Sequence, residues 1–167
     1  MRRLLWIASL CLFLAIARSV LCAGDDLFTM EFSARVDSQQ QTVRGQPSSA
    51  PTTDSARPML TAKSKAKLRI GWSITNQEKT GSIPDVTIHF VLDREYAPGQ
   101  REVSKPGANV LYESALVMDF AAQAKSAADF VVEVPDAGNY VMRLETLGAA
   151  KTHSHEHVAA VDLKVVP

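Results

Sequence analysis

From Phe28 the chain alternates without interruption. Phe28, Met30, Phe32, Ala34 and Val36 fall on one face, and Thr29, Glu31, Ser33, Arg35 and Asp37 on the other. A period of two marks a half-buried strand. The pattern then stops: from Ser38 to about Ala62 the residues are mostly Gln, Ser, Thr, Pro and Ala. Such a stretch buries too little surface to offset its ordering entropy, so a flexible insertion is expected there. Alternation resumes at Ala66. Leu68, Ile70, Trp72 and Ile74 share the inward face, which makes Trp72 a core residue, and Lys63, Lys65, Lys67 and Arg69 share the other. Gly81 and Pro84 break the chain before the next inward set, Val86, Ile88, Phe90 and Leu92. Pro98, Gly99, Pro106 and Gly107 punctuate a long turn, and Val110 to Phe120 is a further strand. The remaining inward sets are Phe130, Val132 and Val134; Tyr140, Met142 and Leu144; and Ala159, Val161, Leu163 and Val165. The expectation is an all-β chain of about seven strands, folded as a single antiparallel β-sandwich.

The leader changes the compartment. Arg2 and Arg3 precede an apolar run from Leu4 to Ala17, with small residues at Ala23 and Gly24, the layout of a secretory signal peptide. The run falls short of the ~20 apolar residues that a membrane span needs, and Arg18 closes it. Leu21 sits where a lipid-attachment box before Cys22 requires a small residue, which argues against a lipoprotein. The layout is then a signal peptide over 1–23, an N-terminal strand over 24–37, a flexible segment over 38–65 and the sandwich over 66–167. The expected protein is exported, periplasmic or extracellular, and not an integral membrane protein once the leader is cleaved.

Cysteine and charge narrow the chemistry. Both cysteines, Cys11 and Cys22, lie in the leader, so the mature chain has no disulfide, thiolate nucleophile or sulfur-ligated zinc. Three of the 18 basic residues, Arg2, Arg3 and Arg18, leave with it, so 15 remain against 18 acidic ones. A mildly acidic protein offers no global electrostatic case for nucleic acid. No Gly-x-Ser-x-Gly elbow, phosphate-cradling loop or dinucleotide fingerprint is present, and a non-enzymatic role is expected.

The run Asp136-Ala137-Gly138-Asn139-Tyr140 leads into an alternating strand and resembles the E–F corner of an immunoglobulin-like or fibronectin-type sandwich of bacterial secreted proteins. The resemblance covers about Lys67 to Val166. Met142 stands where antibody domains carry a cysteine, and Trp72 lies on the B-like strand rather than C, so the likeness is one of architecture. Leu116-Val117-Met118, the Gly-x-Tyr strand and the short terminal strand are also similar to periplasmic domains of the FixH/YtkA type, a likeness that transfers no binding residues. A sandwich of this kind implies binding through its B–C, D–E and F–G loop end.

The sharpest local feature is His153-Ser154-His155-Glu156-His157. Residues two apart on a strand project from one face at ~7 Å per step, and neutral imidazoles are good ligands for copper or zinc. The row shares parity with Ala159, Val161 and Leu163, and Met118 and Glu78 are weaker candidates to join it at the mouth of the sandwich. The competing reading, which composition favours, is a solvated hairpin flank rich in His, Ser and Glu. No cofactor is otherwise expected. His89 falls on the outward face of its strand and reads as an exposed residue. The cationic stripe Lys63, Lys65, Lys67 and Arg69 could meet an anionic partner, but edge-strand lysines that block aggregation explain it more simply. The partner is then an unidentified protein or envelope component, and oligomerisation by strand addition through Phe28 to Val36 is a further expectation.

Overall fold

The strict alternation of Phe28–Val36 produces β1, whose five inward side chains are all buried. The computed structural model describes residues 27–47, 57–95, 109–134, 136–148 and 156–167. The expected leader over 1–23 and the middle of the polar segment lie outside them. All seven expected strands are present: β1, β5 (Lys67–Asn76), β6 (Ile83–Glu95), β7 (Val110–Phe120), β8 (Lys125–Glu133), β9 (Gly138–Leu147) and β10 (His157–Val166). Three more, β2 (Gln39–Arg44), β3 (Gln46–Pro47) and β4 (Met59–Lys63), come from the polar segment. One sheet runs β2-β1-β5-β8 and the other β3-β10-β9-β6-β7, with β4 added to β10. Every pairing is antiparallel except that of β4 with β10.

The inner faces of the two sheets make one core, to which β1, β5, β6, β9 and β10 each give alternate residues. Aromatic rings join the layers. Phe28 meets Phe120 edge-on with centroids 5.2 Å apart, and Phe90 touches both Phe32 (6.1 Å) and Phe130 (5.2 Å). Trp72 lies at the margin of this core, as its parity predicts. The Tyr140 hydroxyl donates to the Asp136 carbonyl at 2.5 Å, closing the corner before β9. Room is tight at Gly138: a Cβ would lie 3.3–3.4 Å from the Tyr140 ring and hydroxyl.

Three expectations need correction. Residues 38–65 are not a featureless insertion. Asp37, which tolerates the left-handed φ of 50° it adopts, starts a tight hairpin that lays β2 against β1. Most β2 side chains stay exposed, so the backbone ladder holds it and burial-based composition misses it. Leu60 and Ala62 of β4 are buried in the core. The chain crosses from one sheet to the other at Gly45, where a Cβ would stand only 2.5 Å from the Met30 Cε.

β1 is also not a free strand awaiting a neighbouring molecule. It is interior to its sheet, paired with β2 on one side and β5 on the other. Glu31 to Val36 therefore has no edge left for strand addition. Finally, the cationic stripe is broken. Lys63 ends β4, Lys65 sits in a turn at φ 65°, and Lys67 and Arg69 belong to β5, which is interior. Arg69 pairs with Asp129 at 2.9 Å, and Lys67 lies opposite Glu133 in register.

Candidate functional site

One end of the sandwich gathers the β5–β6 loop and the β7–β8 turn, as the expected strand order implies. Asn76, fully buried at the end of β5, ties them together. Its amide nitrogen approaches the carbonyls of Gly81 (3.1 Å), Phe120 (3.3 Å) and Ala121 (3.0 Å). Its side-chain oxygen accepts the Glu78 N–H at 2.9 Å. The Gln123 N–H completes the knot by donating to the Glu78 carbonyl at 3.0 Å. In the sequence Asn76 follows Leu68, Ile70, Trp72 and Ile74 at the same parity. The polar residue after an inward apolar run was the available signal.

Of the histidine row, His153 and His155 lie outside the described residues. His157 opens β10 with the inward parity expected and is 2% exposed, its backbone N–H donating to Thr146 Oγ1 at 2.9 Å. Met118 packs at the border of the core on β7, opposite Val86 of β6. His157 lies opposite Thr146 of β9, which pairs with Ile88 of β6. Met118 and His157 are thus three strands apart, roughly 14 Å at ordinary strand spacing. Glu78 folds back over Gly81. The register does not bring Met118 to His157, so the metal reading rests chiefly on the three histidines. Among the described residues no group of three His, Cys, Asp or Glu side chains is disposed to hold a metal ion.

His89 is a correction. Its outward parity holds, but the residue is buried, because neighbouring strands bring carboxylates to both sides of the ring. Nδ1 lies 2.7 Å from Glu145 Oε1 of β9, and Nε2 lies 2.7 Å from Glu113 Oε1 of β7. Arg143, two residues before Glu145, pairs with the other oxygen of that carboxylate. Burial works against charging the ring, but the hydrogen bonds and negative charge of Glu145 and Glu113 outweigh it. The pKa of His89 therefore stands above the ordinary imidazole value. The cluster spans residues 89 to 145, and only the strand register, which one sequence does not display, brings them together.

The two flanks of the sandwich differ. On the β2–β4 side, Gln39 Nε2 donates to the Thr61 carbonyl (3.0 Å) and Gln39 Oε1 accepts the Thr61 N–H (3.2 Å). Gln41 adds a bond to the Met59 carbonyl at 3.3 Å, so amide side chains stitch that seam. The β7–β8 side carries no such stitching among the described residues. β7 pairs only with β6, and along it Leu111 is 51% exposed, Leu116 49% and Val117 59%. Tyr112 and Phe130 stack across this open flank at 6.1 Å. No helix among the described residues is long and apolar enough to cross a membrane.

No family model matches the chain, and no curated protein matches it. Among solved structures it is similar to the C-terminal domain of wzt, at 8% identity and a TM-score of 0.44, covering 81% of this chain and 71% of that one. A CARDB domain from Pyrococcus furiosus, solved in complex with di-metal ions, gives 8% identity and a TM-score of 0.42 over 83% of this chain and 94% of its own. A family 123 glycoside hydrolase from Clostridium perfringens gives 11% identity and a TM-score of 0.43 over 65% of this chain. This chain spans only 23% of the length of that hydrolase. Likenesses at this level transfer no residue and no activity.

Proposed function

We propose that the protein is an exported, non-enzymatic, immunoglobulin-like module that binds a partner protein through the open flank of β7 and β8. The strand order and the tyrosine corner support the immunoglobulin-like assignment. The observation that carries the reading is the contrast between flanks: one is stitched by Gln39 and Gln41, the other leaves Leu111, Leu116 and Val117 in solvent on an edge strand. Apolar side chains left in solvent along an edge strand with no lysine are an aggregation hazard unless something covers them. The binding surface is therefore this flank rather than the loop end expected from strand order alone.

A photo-crosslinking residue at Val117, in cells expressing the full chain, should give a discrete protein adduct, whereas one at Thr42 on the stitched flank should not. Adding Leu116→Lys should abolish the adduct and leave the melting temperature nearly unchanged, because exposed substitutions usually cost under about 0.5 kcal/mol. An adduct of twice the chain mass would identify the partner as a second copy. Equal adducts from both positions, or none from either, would end the reading.

The second reading is copper or zinc handling by His153, His155 and His157, supported by the inward parity of His157 at the head of β10. Titration of mature protein with Cu(II) and Zn(II) should then raise the melting temperature, since a ligand that binds only the folded state stabilises it. The triple change of these histidines to Ala should remove the gain. Stability indifferent to both metals would retire this role.

A further inference from the structure

The outer face of the larger sheet holds a ring with a carboxylate at each nitrogen. Ionised carboxylates only accept hydrogen bonds, and a neutral imidazole has one N–H to give. Two contacts of 2.7 Å, one from each ring nitrogen of His89, are both satisfied only when both nitrogens carry a proton. The arms are unequal. Glu145 has a side chain only 9% exposed and is also held by Arg143, whereas Glu113 is 56% exposed and stands on the edge strand β7. When the ring gives up one proton to water, Nδ1–H keeps its bond to Glu145. The Nε2 lone pair then faces the Glu113 carboxylate with no hydrogen between them, and Glu113 turns to solvent.

We propose that His89 is a proton-operated fastener that ties β7 to the sheet through Glu113 and releases it when the ring is neutral. The charged groups around it are Glu113 from β7, Arg143 and Glu145 from β9, and Asp93 four residues along the same face of β6. Asp162, with its partner Arg57, lies further off on β10. The net balance near the ring is acidic, which favours the protonated form. The sign follows from linkage. A ring that binds its proton more tightly when β7 is docked must hold β7 more tightly when protonated. This fastening is complete below the ordinary imidazole value of about 6.5 and fades as pH rises through the higher value of the docked state. The use of the device rests on β7 being the binding edge; its existence does not, and the experiment reads the strand without any partner.

The test is a pair of pH titrations on the mature protein. Long-range proton–nitrogen spectra follow both ring nitrogens of His89, and amide exchange, corrected for intrinsic base catalysis, follows β7 with β8 as the control edge. The ring should be doubly protonated at pH 6, with a midpoint above that of the Glu113→Gln variant. Protection of β7 amides should fall across the same range, by about tenfold for each pH unit between the two midpoints. β8 should stay flat, and Glu113→Gln should flatten β7. A ring that is neutral with its partner proton on Glu113, equal midpoints in the two proteins, or β7 exchange indifferent to the titration would each overturn the proposal.

Discussion

Phe90→Ala should cost the fold about 3–5 kcal/mol, the range for emptying a buried aromatic site. Small domains are stable by roughly 5–15 kcal/mol, so the change takes a large share of the total. Phe90 is chosen because it works across layers. It projects from β6 into the core and touches Phe32 of β1 and Phe130 of β8 in the opposite sheet, and Tyr112 of β7 beside it at 5.9 Å. Its loss therefore separates the sheets where the open flank begins. Urea unfolding gives the measurement, and Phe90→Leu, which keeps most of the volume, should lose far less. If Phe90→Ala fails to fold, Phe90→Leu still reports the gradient. A loss under about 1 kcal/mol for the alanine variant would mean that the aromatic bridge does not join the layers.

The second large effect is expected at Asn76. Truncation to Ala leaves the Gly81, Phe120 and Ala121 carbonyls and the Glu78 N–H without their side-chain partner, costing about 2–3 kcal/mol. Asn76→Asp should be no better, because a carboxylate turned toward three carbonyls has no proton to give. The damage should be local as well as global: amide exchange should rise in the β5–β6 loop and the β7–β8 turn before it rises in β1 or β9. An Asn76→Asp variant as stable as the parent would show that the amide does not hold this end together.

How much of this was legible in the sequence depends on the kind of information each feature uses. Period two exposes a strand whose alternate residues enter a core, so Phe28 to Val36 and the set ending at Val165 could be read directly. Tyr140 could be read because its hydroxyl reaches only four residues back, a local bond with a local motif. Gln39 to Arg44 could not, since that strand is held by backbone pairing and by amide side chains that composition scores as disorder. His89 failed for the opposite reason. Its parity was right, but parity says which way a side chain points and not what the neighbouring strands place beside it. Glu113 and Glu145 lie 24 and 56 residues away, and only register brings them to the ring. The exposed Leu116 shows the same limit. A strand can have apolar residues on both faces and still find no opposing layer.

The parallel pairing of β4 with β10 reaches across the chain, matching Met59 with Asp162 and Lys63 with Val166. β3 closes on the other half of the same strand. The final strand is thus the template on which two early pieces of chain must wait. Until it is available, Leu60 and Ala62 have no layer to enter, and the larger sheet lacks the strand that carries its edge. Folding dominated by such distant pairings is slow, because loop closure is paid before the contacts form. Were the chain exported as proposed, that delay would be protective: it would stay threadable until β10 had arrived on the far side.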